Sequence, residues 1–106
     1  MIGEALKHAR AEHKFLMVEF GANWCSDCKE LSRHLEDAAM RDYLRSEFVV
    51  LKVDVGRFDR NADTAKSLGI DINNGIPAAA FFTHPGDQPV ARIGTHEILQ
   101  FLTETR

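Results

Sequence analysis

The chain has 106 residues, of which 44% are hydrophobic and 27% are charged, and its formal net charge is −3. This composition is typical of one soluble, globular domain, which we expect to span residues 1–106. The charge provides no basic surface for nucleic acid or an anionic membrane, and the apolar runs are too short to cross a bilayer. We therefore expect neither nucleic-acid binding nor membrane insertion.

The N-terminal part alternates between helical and extended patterns. An amphipathic helix is predicted from residues that recur at helical spacing, namely Ile2, Leu6, Ala9 and His13. The apolar run 15–20 predicts a strand that only Glu19 interrupts, and residues 21–24 form a loop. A second helical pattern begins at Ser26 and has a kink near residues 36–39, which predicts one long helix or two consecutive helices.

The middle of the chain predicts a second strand and a short helix. The hydrophobic run 48–55 suits a strand buried at the centre of a parallel sheet. Residues 56–61 carry both charge signs and turn-forming residues, which indicates a loop. A short helix at 63–68 follows, and Gly69 occupies the usual position just after a helix end.

The C-terminal part predicts a hairpin and a final helix. Strands at 78–83 and 89–93 flank a tight turn at 84–87, and the two strands pair antiparallel. Thr95 is predicted to cap the final helix, which buries Ile98, Leu99 and Leu102. After the first helix the element order is therefore βαβαββα, an α/β arrangement with helices on both faces of the sheet.

The only two cysteines, Cys25 and Cys28, lie where the first strand meets the second helix. At this spacing their sulfurs can reach bonding distance, so the pair can cycle between dithiol and disulfide. Attack on a disulfide requires a thiolate, and the free amide groups at a helix N terminus stabilise one. We predict that Cys25, in the first turn, is the exposed attacking sulfur and that Cys28 is the more buried resolving sulfur.

Four motifs resemble the thioredoxin superfamily and occur in that family's order. They are W-C-x-x-C-K at residues 24–29, the acidic Glu19 before the first cysteine, K-V-D-V at 52–55 and G-I-P at 75–77. The resemblance covers residues 15–106 and is nearest to bacterial thioredoxin-like proteins described as disulfide isomerases. It implies a thioredoxin-like α/β fold with a mixed sheet of about four strands flanked by helices. An extra helix lies at the N terminus.

The resemblance also assigns substrate-binding residues. It implies that a cis peptide bond precedes Pro77, although most X-Pro bonds are trans and the sequence alone does not show the isomer. In the cis case Ile76 presents its backbone groups to an extended substrate strand. Trp24 is interpreted as a flat contact for substrate beside the sulfurs, and its alternative is an ordinary core aromatic.

Glu19 has two interpretations. As a structural residue it points to a sheet edge or reaches out to solvent. As a functional residue it is a partly buried carboxyl group whose pKa is raised by desolvation, and it relays a proton to or from Cys28 through water. If Lys52 lies near Glu19, its charge partly reverses that shift.

A metal centre is the main alternative for the cysteine pair. Zinc requires about four ligands, and the sequence contains neither a second C-x-x-C nor an H-x-x-x-H pattern. An iron–sulfur cluster shared between two chains is a further alternative. We expect no metal and no organic cofactor, and we expect the five scattered histidines to be solvated surface residues.

The predicted activity is thiol-disulfide exchange with protein disulfide substrates, with electrons supplied by an unidentified reductase or membrane carrier. An exported isomerase or oxidant that uses the same residues is one alternative, and a non-catalytic binding module is the other. Residues 1–14 lack the apolar stretch of a secretory signal, so the sequence as it stands predicts a cytoplasmic protein, or a periplasmic one if a signal has been removed. We expect a monomer.

Overall fold

A computed structural model describes residues 1–83 and 88–106, so the turn predicted at residues 84–87 lies outside the described residues. The helices are α1 (Ile2–Ala11), α2 (Ser26–Leu35), α3 (Ala38–Glu47), α4 (Ala62–Ser67) and α5 (Thr95–Thr105). The strands are β1 (Phe15–Gly21), β2 (Phe48–Asp54), β3 (Ala78–Phe82) and β4 (Val90–Ile93). A single 3₁₀ turn, Ile72–Asn74, precedes β3.

The four described strands form one mixed sheet in the order β2-β1-β3-β4. β1 runs parallel to β2 and antiparallel to β3, and β3 and β4 pair antiparallel. This arrangement confirms the predicted mixed sheet and the predicted element order, including the break between two consecutive helices near Glu36. The prediction that residues 48–55 form a central strand is wrong, because β2 is an edge strand on which Val50 and Lys52 are exposed.

Each face of the sheet carries its own apolar core. Along β1, Leu16, Val18 and Phe20 pack with residues of α1 and α4. Met17 points the other way and packs with residues of α2, α3 and α5. Because successive strand residues alternate between faces, Glu19 lies on the same face as Met17, beneath α2. The strand period therefore places this carboxyl group under the helix that begins after Cys25.

Two predicted helix ends differ from the structure. α1 stops at Ala11, and His13 adopts a left-handed conformation (φ 56°) in the turn that leads into β1. At α5 the residue before the helix is Gly94, and Thr95 is already helical. The Thr95 hydroxyl donates a hydrogen bond to the Asp27 carbonyl (3.1 Å) instead of capping its own helix. This contact ties α5 to the start of α2.

Gly69 is placed as predicted. It follows α4 with φ +81°, and its amide donates to the Lys66 carbonyl at 3.0 Å. The Ile70 amide donates to the Ala65 carbonyl, also at 3.0 Å. These two bonds satisfy carbonyls that a helix end leaves free, and a left-handed residue at this position is commonly glycine.

Candidate active site

Backbone contacts at the end of β1 position the cysteine pair. The Gly21 carbonyl accepts a hydrogen bond from the Val55 amide (3.0 Å), which fixes the end of β1 against β2. The Cys25 amide donates a hydrogen bond to the Ala22 carbonyl (3.3 Å), and Cys25 occupies the N-cap position of α2. In that position the side chain, not the backbone, meets the free amides of the first helical turn.

The Cys25 sulfur is held between the helix start and the loop before β3. The Cys28 amide donates a hydrogen bond to Cys25 Sγ at 3.2 Å, and Cys25 Sγ lies 3.8 Å from the Ile76 carbonyl oxygen. Both cysteines are free thiols. The prediction of an exposed Cys25 is wrong, because the two residues are buried to nearly the same degree, at 7% and 5% exposure.

Cys28 is strongly disfavoured as an anion. Burial is the largest cause, and together with a hydrogen bond to Cys25 and the charges of Cys25 and Glu19 it raises the pKa of Cys28 to about 12. A backbone hydrogen bond from Ala22 opposes this shift only in part. The environment therefore keeps the Cys28 thiol protonated at neutral pH.

Glu19 is buried on the central strand, so its interpretation as an edge or solvent-seeking residue is wrong. It is 6% exposed, and within residues 1–83 and 88–106 its Oε1 atom has no hydrogen-bond partner. Desolvation raises the pKa of Glu19, and the charge of Lys52 lowers it in part. A carboxyl group in this setting holds a proton more readily than an exposed one does.

Trp24 lies beside the cysteines at the surface, at 39% exposure, so the alternative of a core aromatic is wrong. Its indole N–H donates to the Gly56 carbonyl at 2.7 Å, which anchors the ring to the loop after β2. Phe58 of that loop packs edge-on against the indole, with ring centroids 5.6 Å apart. The Arg57 guanidinium lies 5.4 Å from the centroid of the indole.

The loop that carries Phe58 is held in place by Asp54 and Asn61. The Asp54 carboxylate accepts hydrogen bonds from the Gly56 amide (3.0 Å) and the Arg60 guanidinium (3.4 Å). The Asn61 side-chain amide donates to the Asp54 carbonyl at 2.7 Å. The sequence interpretation identified these residues as a polar loop but did not predict a role for Phe58. Its position as the one aromatic residue among the polar residues of this loop could have indicated such a role.

The Ile76–Pro77 peptide bond is cis, as the family resemblance implied. The Ile76 carbonyl oxygen lies 3.8 Å from Cys25 Sγ, and the Pro77 carbonyl accepts a hydrogen bond from the Gly94 amide at 2.7 Å. Cys25, Trp24 and the Ile76–Pro77 loop are thereby brought to one side of the molecule. Glu19 lies with Cys28 on the inner side, beneath α2.

Two of the histidines, His8 and His34, lie close to acidic side chains. The partner of His8 is Glu12, just after the end of α1, and the partner of His34 is Glu30, one turn earlier on α2. In the part of the chain that the structure describes, no group of three or more His, Cys, Asp or Glu side chains is arranged to hold a metal ion. Among the described residues, no helix combines the length and the hydrophobicity that a membrane span requires.

Comparison with known proteins agrees with the geometry of the site. A protein-family model described as Thioredoxin-like matches residues 2–84. The chain belongs to the thioredoxin-like family. Relatives of the chain are named thioredoxin and protein disulfide-isomerase, and the chain carries a C-x-x-C pair at Cys25 and Cys28.

Relatives of this thioredoxin-like chain include both short and long proteins. It is 36% identical to a thioredoxin of Buchnera aphidicola over 90 residues, which cover 84% of the chain and 75% of that protein. It is 36% identical to the thiol:disulfide interchange protein DsbD of Ralstonia nicotianae over 110 aligned residues, which cover 99% of the chain. The chain spans only 17% of the length of that DsbD and 15% of the DsbD of Vibrio cholerae.

Solved structures resemble the thioredoxin-like chain over nearly its whole length. The disulphide isomerase of Xylella fastidiosa Temecula1 superposes with a TM-score of 0.80 at 30% identity, covering 98% of this chain and 87% of that one. A thioredoxin of Thermus thermophilus gives a TM-score of 0.73 at 25% identity, covering 97% and 82%. These likenesses confirm the predicted fold class.

Proposed function

We propose that the chain exchanges dithiol for disulfide with protein substrates through Cys25 and Cys28. The observation that carries this proposal is the difference between the environments of the two sulfurs. Cys25 Sγ accepts a hydrogen bond from the Cys28 amide at the start of α2, whereas burial and its neighbours raise the pKa of Cys28 to about 12. The first arrangement directs a backbone donor at the Cys25 sulfur, which we assign as the attacking one, and the second keeps Cys28 as a thiol until it is needed.

The reaction proceeds in two exchanges. The Cys25 thiolate attacks one sulfur of the substrate disulfide, which forms a mixed disulfide and releases the other substrate sulfur as a thiolate that takes up a proton. Cys28 then loses its proton and attacks Cys25 Sγ, which releases the first substrate sulfur. The substrate gains two electrons and two protons, and the protein is left with a Cys25–Cys28 disulfide.

Glu19 accepts the proton of Cys28 in the second exchange. Its carboxylate lies under α2, and one of its oxygens has no partner within residues 1–83 and 88–106, so a water molecule that bridges it to the Cys28 thiol would satisfy that oxygen. The Glu19→Gln variant tests this role, because it keeps the shape and removes the base. We expect slower release of substrate from the mixed disulfide at neutral pH, and an unchanged rate would exclude Glu19 from the reaction.

Substrate binds on the side where Cys25 faces Ile76. There the backbone around the cis bond to Pro77 offers main-chain hydrogen bonds to an extended peptide, a mode that tolerates many sequences. Trp24 and Phe58 offer an exposed aromatic surface beside it. Neither contact depends on a particular substrate side chain, which supports a broad range of protein disulfides.

Reduction of insulin with dithiothreitol tests the proposal. We expect wild type to accelerate the appearance of turbidity and Cys25→Ser to abolish the acceleration, whereas Cys28→Ser should accumulate the mixed disulfide. Ser46→Ala, an exposed change on α3, is the control. Equal rates for wild type and Cys25→Ser would favour a non-catalytic binding module instead.

The direction of electron flow is a second part of the proposal. Similarity to the Xylella fastidiosa disulphide isomerase supports an isomerase or oxidant, and similarity to the Buchnera thioredoxin supports a reductase fed by an external donor. The redox potential measured against glutathione separates them, since a reductase has the lower potential. A low potential would support the cytoplasmic assignment, and a high one would support an exported protein that acts in the periplasm.

A further inference from the structure

The loop between β2 and α4, residues 54–61, has an unusual backbone. Gly56, Phe58 and Asn61 adopt left-handed conformations, with φ angles of 57°, 67° and 57°. A residue with a side chain adopts this conformation at an energetic cost, and a bulky aromatic residue such as Phe58 rarely does so. Such conformations persist where surrounding contacts fix them, and they are frequent at binding sites. We therefore expect specific contacts to hold this β2–α4 loop in one shape.

Asp54 and Asn61, at the two ends of the β2–α4 loop, supply side-chain hydrogen bonds that close it. The Asp54 carboxylate accepts a hydrogen bond from the Gly56 amide at 3.0 Å. The Asn61 side-chain amide donates to the Asp54 carbonyl at 2.7 Å, which ties the end of the loop to its beginning. Between them, the Asp59 carboxylate accepts a hydrogen bond from the Arg57 amide at 3.0 Å. This last bond spans the aromatic residue of the loop.

Gly56 connects the β2–α4 loop to the active-site cysteine. Its φ of 57° favours glycine, and a Cβ atom at this position would collide with the Asp59 carboxylate. The carbonyl of the same residue accepts the hydrogen bond of the Trp24 indole N–H at 2.7 Å. The shape of the loop therefore determines where the indole lies, one residue before Cys25.

The two aromatic side chains that this loop holds are exposed to solvent. Phe58 is 41% exposed and Trp24 is 39% exposed. Within residues 1–83 and 88–106, neither belongs to the apolar core on either face of the sheet. Burial of apolar surface therefore gives no reason for a costly backbone that displays an aromatic ring. A binding surface gives one, because a side chain that is already fixed loses less freedom when a partner binds.

We propose that Asp54 and Asn61 are positioning residues for protein substrates, which act by holding Trp24 and Phe58 as a preformed binding surface beside Cys25. This inference rests on the proposed function, because it requires protein disulfides to reach Cys25 on this side. It assigns a part in substrate recognition to two polar side chains whose own hydrogen bonds lie within the loop.

Loss of positioning should affect large and small disulfides differently. A protein disulfide such as insulin brings a peptide segment onto the aromatic surface, whereas bis(2-hydroxyethyl) disulfide has no such segment. A variant that loosens only this surface should therefore slow the reaction with insulin and leave the reaction with the small disulfide unchanged. A change at the sulfurs themselves would alter both rates.

The test uses the reduced full chain and measures how fast each of these two disulfides oxidises it. Samples are quenched with acid, the remaining thiols are alkylated, and mass spectrometry gives the oxidised fraction. Asn61→Gly keeps a residue that readily adopts the left-handed conformation and removes the amide that binds Asp54. We expect the ratio of the insulin rate to the small-disulfide rate to fall about two- to tenfold, the factor that corresponds to ordering one side chain on binding. An unchanged ratio in the folded variant would overturn the proposal.

Asp54 provides a second variant that has a conservative counterpart. Asp54→Ala removes the acceptor of the Gly56 amide, so the ratio should again fall about two- to tenfold. Asp54→Asn retains a side-chain oxygen that accepts this bond, so its ratio should stay near that of wild type. If Asp54→Asn lowers the ratio as much as Asp54→Ala does, the charge of Asp54 explains the effect, and the positioning role is wrong.

Fluorescence gives a readout of the surface itself, because Trp24 is the only tryptophan of the chain. Acrylamide should quench the reduced Asn61→Gly variant more readily than reduced wild type, since the indole loses its fixed anchor. Tyr43→Phe removes a 2.8 Å hydrogen bond between α3 and α5 and is the control for lost stability. It should change neither the quenching nor the ratio of rates. Equal quenching of Asn61→Gly and wild type would contradict the proposal.

A double variant shows whether Asn61 acts through the aromatic surface. Asn61→Gly should lower the ratio of rates by a smaller factor in the Phe58→Ala background than in wild type, because the side chain that it positions is already absent. Equal factors in the two backgrounds would mean that Asn61 acts independently of Phe58, which would overturn the proposal.

Failure of this inference is distinguishable from failure of the proposed function. If insulin oxidises the reduced wild-type chain while the ratio of rates is unchanged in Asn61→Gly, only the positioning role is wrong. If insulin does not oxidise the reduced wild-type chain, the proposed function itself fails.

Discussion

Replacement of Glu19 by glutamine should change how the stability of the protein depends on pH. In the folded chain, burial raises the pKa of Glu19 above the value of 4.5 that an exposed glutamate has. The folded state therefore binds more protons than the unfolded state between 4.5 and the raised pKa. The free energy of unfolding of wild type should fall as the pH rises through this window, and Glu19→Gln should lack that fall.

The magnitude follows from the surroundings of the carboxyl group. Glu19 is 6% exposed, its Oε1 atom has no partner among the described residues, and the charge of Lys52 offsets only part of the desolvation. Leaving a buried polar group unsatisfied costs about 1–3 kcal/mol, which sets the order of magnitude of the penalty on the ionised carboxylate. We expect Glu19→Gln to gain on the order of 1–3 kcal/mol over wild type between pH 4 and the raised pKa.

Urea unfolding of both reduced proteins from pH 4 to pH 8 measures this difference. Groups common to both chains cancel in the comparison, so the difference reports Glu19 alone. Glu47→Gln, an exposed change at the end of α3, is the control and should give a difference that does not vary with pH. A flat difference for Glu19→Gln, or one that falls with rising pH, would refute the assigned burial cost.

Three further predictions test other parts of the structure. Because the pKa of Cys28 is about 12, iodoacetamide at pH 7 should label Cys25 alone in the folded protein and both cysteines in urea, as measured by mass spectrometry. Phe58→Ala should raise KM for a peptide disulfide about three- to tenfold with kcat unchanged, because an aromatic contact contributes ~0.5–1.5 kcal/mol, and an unchanged KM would remove Phe58 from the binding surface. Gly69→Ala should lower the free energy of unfolding by ~1 kcal/mol because its φ is +81°, whereas Gly3→Ala should not lower it. Equal urea midpoints for the two glycine variants would contradict the assigned strain.

The sequence was sufficient wherever the signal is local. The spacing of Cys25 and Cys28 at a helix start, the periodicity of the strands and helices, and the glycine that ends α4 each depend on a few neighbouring residues. Such patterns reflect backbone geometry, which is the same in any fold. Even so, local signals misplaced Thr95, because its hydroxyl bonds to the Asp27 carbonyl on another helix instead of its own backbone.

Only the tertiary structure decided which residues are neighbours across the fold. A hydrophobic run does not reveal strand order, so β2 proved to be an edge strand and β1, with Glu19, the central one. The burial of Cys25 depends on a loop that is 51 residues away along the chain. The close packing at Gly21 also depends on distant segments. A Cβ atom at this position would lie 3.2 Å from Cys28 Sγ, because α2 packs over the end of β1. The physical reason is that desolvation and access depend on packing between distant segments, which a sequence pattern does not encode.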